Sequence, residues 1–114
     1  MLTSGDIVDL DLGLPSGRKA GLRRPAVVVT AQRILGASPS VVHVVPLTTT
    51  VRGFGSEVLV EPAVLNGLDR RSVAQCQHIR AVSVDRVEGI RGSVGSEALA
   101  QIREVLGLIL DIGS

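Results

Sequence analysis

Two runs rich in β-branched residues constrain this chain more than any other feature: Ala26-Val27-Val28-Val29-Thr30 and Val41-Val42-His43-Val44-Val45-Pro46-Leu47. Each is far shorter than the ~20 apolar residues of a membrane span. Each is also nearly unbroken, which reads as a strand buried on both faces or nearly so. The strands are placed at Pro25 to Thr30 and Ser40 to Leu47, with Gly36 to Pro39 as the turn between them. Only one aromatic residue, Phe54, accompanies a hydrophobic content of 45%. The core must therefore be aliphatic, and its Val and Ile share favours sheet.

The remaining segments fit the same scheme. Asp6 to Leu12 alternates loosely, as a half-buried strand does. Gly13 to Leu22 reads as a long mobile loop, Arg52-Gly53-Phe54-Gly55 as a turn or bulge, and Glu57 to Glu61 as a short strand. Asn66-Gly67 is a turn dipeptide. Ser72 to Val82 reads as one strand, and Gly89 to Val94 as another after a helical turn near Val84 to Val87. The period then changes: Leu99, Ile102, Leu106 and Ile109 fall on one helical face, with Gly95 or Ser96 at its start and Glu97 in its first turn. One domain, 1–114, is expected: mainly β, a small and strongly bent sheet or barrel with its open face covered by a C-terminal helix.

The net charge of +1 hides an asymmetry, since Arg18, Lys19, Arg23 and Arg24 crowd one glycine-bounded stretch without an acid. Eleven of the twelve cations are arginine, the side chain suited to bidentate phosphate contact. Three hydroxyls, Thr48-Thr49-Thr50, close the second valine run. A cationic loop beside clustered hydroxyls is the chemistry of an anion site, phosphate first. Arg24 precedes Pro25 and is thereby held extended at the mouth of its strand. Antiparallel pairing of the two runs is expected, yet the strands are joined the long way round, so adjacency of Arg24 and Thr48 rests on sheet curvature. On residue type alone, a solvated cation and a plain strand-end threonine remain open readings. His78 and Arg80 share the polar stretch Gln75-Cys76-Gln77-His78-Ile79-Arg80. His43, among valines, reads as a satisfied strand histidine, and Cys76 as a small buried hydrophobe.

No phosphate loop of the GxxxxGK type, nucleophile elbow, HExxH or paired-carboxylate pattern occurs, and no cysteine–histidine spacing suits zinc. No metal or cofactor is expected. Phosphodiester cleavage by such a chain is easiest on RNA, whose 2′-hydroxyl is a built-in nucleophile. The lack of aromatics argues against recognition by base stacking. A single cysteine, no leader-like opening and no membrane-length apolar stretch point to a soluble cytoplasmic protein.

Taken together, Gly5 to Leu12, Arg24-Pro25-Ala26-Val27-Val28-Val29, Val45-Pro46-Leu47-Thr48-Thr49, Gly53-Phe54 through Glu57-Val58, Leu68 to Ser72 leading into Gln77 to Val82, and Gly92-Ser93-Val94 with the closing helix resemble the MazF/PemK family of toxin endoribonucleases. The resemblance spans the chain in order. It implies an SH3-like barrel acting as a homodimer that cuts single-stranded RNA without metal, to 2′,3′-cyclic phosphate and 5′-hydroxyl ends, and so inhibits translation. It implies Arg24 and Thr48 as catalytic residues, and an RNA surface at Arg18, Lys19, Arg23, Thr49, Gln77, His78 and Arg80. It also implies a MazE-like antitoxin whose disordered acidic and aliphatic tail would fill the cationic groove. Gly17-Arg18-Lys19 stands where many members carry Gly-Ser-Glu, and His78 where glutamine is usual. The competing readings are a gyrase poison of the related CcdB type and a non-catalytic SH3-like binding module.

Overall fold

The computed structural model describes residues 1–12 and 23–113. Its strands are β1 (Asp6–Asp11), β2 (Arg23–Val28), β3 (Val41–Thr48), β4 (Glu57–Val60), β5 (Ser72–Gln75), β6 (Arg80–Ser83) and β7 (Val87–Ser93). A short helix α1 (Gln32–Leu35) and a long one, α2 (Ser96–Leu110), complete it, with 3₁₀ turns at Cys76–His78 and Val84–Arg86. The segment read as a loop from Gly13 to Leu22, with Arg18 and Lys19, lies outside the described residues.

All strand pairs are antiparallel, in the order β4-β5-β3-β2-β1-β7, with β6 also on β3. The expected mainly-β fold with a closing helix is what the chain adopts. Alternation along the valine runs explains why they look continuous, because each face meets its own core. Ile7, Val27, Val45 and Leu47 face α2 and pack with Ile102, Leu106, Ala74 and Cys76. Val8, Leu10, Ala26, Val28, Val42 and Val44 face the other way and meet Leu35 and Val82. Leu35 belongs to α1, a helical turn in a stretch that carried no sequence assignment. Its buried leucine supplies what the turn alone could not.

The helix starts behind Gly95, whose φ of +88° suits glycine, and ends on Asp111 in the left-handed region. Leu99, Ile102 and Leu106 lie inward as their spacing predicts, while Ile109 is 42% exposed and overhangs the core. Asn66-Gly67 forms its turn, and the buried Asn66 side chain does more than turn the chain. Its Oδ1 accepts from the Ala63 and Leu68 N–H groups at 3.0 Å each, and its Nδ2 donates to the Glu61 carbonyl at 2.8 Å.

The stretch Ser72 to Val82 is not one strand. Opposite β3, Leu47 and Thr48 face Ala74 and Val73. Continued unbroken, that register would set Val44 against Gln77, but Val44 faces Arg80. Three residues are therefore inserted, and they are the turn Cys76–His78. Its cause is in the packing: Cys76 is fully buried among the apolar side chains under α2 and its N–H donates to the Ser56 carbonyl at 3.1 Å. An inserted kink of this kind re-aims the side chains beside it.

Candidate active site

β2 and β3 pair through Val28–Val44, Val27–Val45 and Ala26–Pro46. Pro25 has no N–H with which to lengthen the ladder. The same register carried two residues further sets Arg24 level with Thr48. Antiparallel pairing puts the start of β2 and the end of β3 at the same open end of the ribbon, although the ladder itself stops at Ala26–Pro46 and Thr48 pairs onward with Val73 of β5. By alternation both side chains lie on the face of Ala26, Val44 and Pro46, away from α2.

On that face a cleft of about 500 Å³ opens where the apolar cover stops. Leu10, Leu12, Val44 and Pro46 form its aliphatic part; Arg24, Gln75, His78 and Arg80 supply its polar groups. Each element contributes for a local reason. Arg24 is the residue of β2 opposite Leu10 of β1, and Arg80 is the residue of β6 opposite Val44. Gln75 ends β5 and His78 ends the inserted turn, so the kink brings an amide and an imidazole to the cleft wall. Arg24, His78 and Arg80 are exposed and Gln75 is half-buried. A second hollow shares Leu12 and Arg80 with the first and adds Ser83 and Arg86. The Arg86 guanidinium donates to the Asp11 carbonyl at 3.3 Å.

Thr48 stands two residues beyond Pro46, half-buried and outside the cleft lining. Its hydroxyl oxygen accepts the Thr50 N–H at 3.2 Å, which fixes the rotamer and leaves the O–H to donate. Thr49 is exposed past the strand's end and is not part of the cleft wall. Arg23 falls on the opposite face from Arg24 and pairs with Glu88 of β7 at 2.9 Å, so the structure does not bring it into the cleft. Gln77 is half-buried within the turn, with its Oε1 buried and without a hydrogen-bond partner. Sequence reasoning passed over Gln75, although its place two residues after the buried Val73 gives the signal: a polar side chain on a strand face that carries the cleft. Cys76 lies beneath the turn, and burial pushes its thiol up to about 11, so it is held protonated near neutrality.

The arrangement offers two guanidiniums, an imidazole and an amide over an aliphatic floor, with Thr48 two residues beyond the Pro46 of that floor. Such a set has the chemistry to hold a phosphodiester and to neutralise charge that builds on it. Residues 3–110 match the family described as PemK-like, MazF-like toxin of type II toxin–antitoxin system. The chain belongs to this toxin family. The toxin is 34% identical to Endoribonuclease MazF9 of Mycobacterium tuberculosis over 119 residues, covering all of both chains. Its fold superposes on the Mycobacterium tuberculosis toxin MazF-mt6 with a TM-score of 0.77 at 26% identity, covering 96% of this chain and 99% of that one. A MazE–MazF crystal structure from Deinococcus radiodurans is matched with a TM-score of 0.79 at 28% identity, covering 96% of each chain. Among the described residues of this toxin, no helix is long and apolar enough to cross a membrane.

Proposed function

We propose that this MazF-like endoribonuclease toxin lays single-stranded RNA across the cleft and cuts it there by internal transfer. In this reading the RNA 2′-oxygen attacks the adjacent phosphorus, the bond to the 5′-oxygen breaks, and a 2′,3′-cyclic phosphate and a 5′-hydroxyl result. The nucleophile comes with the substrate, so no metal ion is required to make one. Arg24 is the residue on which the reading turns: it lines the cleft with Arg80 and lies level with Thr48. Its guanidinium would neutralise the non-bridging oxygens as the pentacoordinate phosphorane forms, and the Thr48 hydroxyl would donate to one of them. Arg80 and Arg86, on the walls of the adjoining hollows, would carry the neighbouring phosphates, and Gln75 offers an amide to a base edge. Arg18 and Lys19 would add phosphate contacts from the segment outside the described residues.

Action as a homodimer in the cytoplasm, where translated RNA is found, completes the proposal. So does neutralisation by an antitoxin: the related toxin from Deinococcus radiodurans is known in a MazE–MazF structure. A cationic cleft suits an acidic, aliphatic, disordered tail that orders on it and excludes RNA. Incubation of the purified toxin with a long unstructured RNA in EDTA tests the reading. Fragments with cyclic-phosphate and 5′-hydroxyl ends are expected. Intact RNA together with gyrase-dependent DNA breaks would instead select the gyrase-poison alternative.

A further inference from the structure

We propose that His78 is the proton acceptor of this toxin's cleavage reaction, a role that rests on the RNA-cutting function just described. Internal transfer requires a group that takes the 2′-hydroxyl proton as the new P–O bond forms. Among the described residues, the polar groups of the cleft are Arg24, Gln75, His78 and Arg80. A guanidinium stays protonated at any physiological pH and an amide does not titrate. Imidazole is the side chain that changes charge between about pH 5 and 8, and among the described residues His78 is the one such group on the cleft wall. The segment 13–22 contains no Asp, Glu or His in its sequence, so it brings no rival base.

The surroundings of His78 point the same way. The turn that carries it packs against β3, β4 and α2. β3 meets the cleft through Val44 and Pro46, and His43 alternates to the other face. β4 carries Glu57, opposite Gln75; its Oε1 accepts the Arg52 and Gly53 N–H groups at 3.2 and 2.9 Å, and it is not part of the cleft wall. α2 meets the turn around the buried Cys76 and Ile102, while its Glu97, Arg103 and Glu104 are exposed. Among the described residues, Arg24 and Arg80 are thus the charged groups that share the cleft wall with His78. The balance is simple. The imidazole lone pair takes the 2′-proton, the 2′-oxygen bonds to phosphorus, the P–O5′ bond breaks, and the departing 5′-oxygen takes a proton from water. The imidazolium then returns its proton to the hydroxide so formed.

Single-turnover cleavage of one RNA by wild type, His78→Gln, His78→Ala and Glu57→Gln, measured from pH 5 to 9, decides the matter. Wild type should show a rate that falls as pH drops through the imidazole range. His78→Gln should be slower at pH 7.5 by about 10²-fold or more and should lose that limb. Added imidazole should restore rate to His78→Ala. A purely structural role for His78 would change amplitude or stability but leave the pH limb in place. A limb retained in His78→Gln, or one removed by Glu57→Gln instead, overturns the assignment while leaving RNA cleavage standing. A wild type that cuts no RNA at any pH overturns both.

Discussion

Replacing Arg80 with alanine should loosen RNA and make the remaining binding less sensitive to salt. Arg80 lies on the wall shared by the two adjoining hollows, with Arg24 on one side and Arg86 on the other. Each phosphate contact to a single strand contributes ~0.7 to the slope of log affinity against log salt, so losing one contact should flatten the slope by about 0.7. Over a fourfold rise from 50 to 200 mM salt, the wild-type advantage should then shrink about 2.6-fold. At the low-salt end, loss of one charge-assisted contact of ~1.5–3 kcal/mol should weaken binding about tenfold or more. Fluorescence anisotropy with a labelled 2′-O-methyl RNA, which binds without being cut, measures both quantities. Arg23→Ala is the internal control: Arg23 pairs with Glu88 on the other face of the sheet, and its loss should leave the slope unchanged. Parallel salt lines for wild type and Arg80→Ala, or an equal flattening by Arg23→Ala, would refute the placement of RNA along these hollows.

Thr48→Ala should slow cleavage, whereas Thr48→Ser, which keeps a donor hydroxyl on the same strand face, should retain more rate; equal rates for both variants in a single-turnover assay would remove the hydroxyl from the reaction. Asn66→Ala orphans the buried Leu68 N–H along with two partly buried backbone groups and should cost ~2–4 kcal/mol in urea unfolding at unchanged m, whereas a loss below ~0.5 kcal/mol would contradict those three bonds. Cys76 has its pKa raised from 9.0 to about 11 by burial, so between those values the unfolded chain releases a proton that the folded one keeps. Stability should therefore decline as pH rises above about 9 and the decline should vanish in Cys76→Ala; an identical pH dependence in the variant would deny the shift.

Much of this architecture can be read along the chain, and the gaps have physical causes. The valine runs announce their strands because both faces of the sheet are covered, and the change of period at Leu99 announces the helix. Ser72 to Val82 reads as one strand because composition records propensity and not register. The three-residue insertion at Cys76–His78 exists because β3 holds β5 and β6 in two registers, a fact set by tertiary pairing. The same limit applies to the site. Arg24 is signalled by its basic neighbours and the proline behind it, but charge alone cannot tell it from Arg23, one residue away. Alternation separates the two, sending Arg24 to the cleft and Arg23 to Glu88. Gln75 and Arg80 become partners of Arg24 only once β5 and β6 are laid beside β3.

The most direct test of the account compares wild type and Arg24→Ala in single-turnover cleavage of one RNA at saturating enzyme, with urea midpoints measured on both. Arg24 is exposed near the start of β2, so its truncation should leave the midpoint in place. Removal of a group that stabilises the developing phosphorane charge should lower the rate by ~10²–10³. A variant that folds as the wild type does and cuts RNA at the wild-type rate would contradict the claim that this cleft is where the chemistry happens.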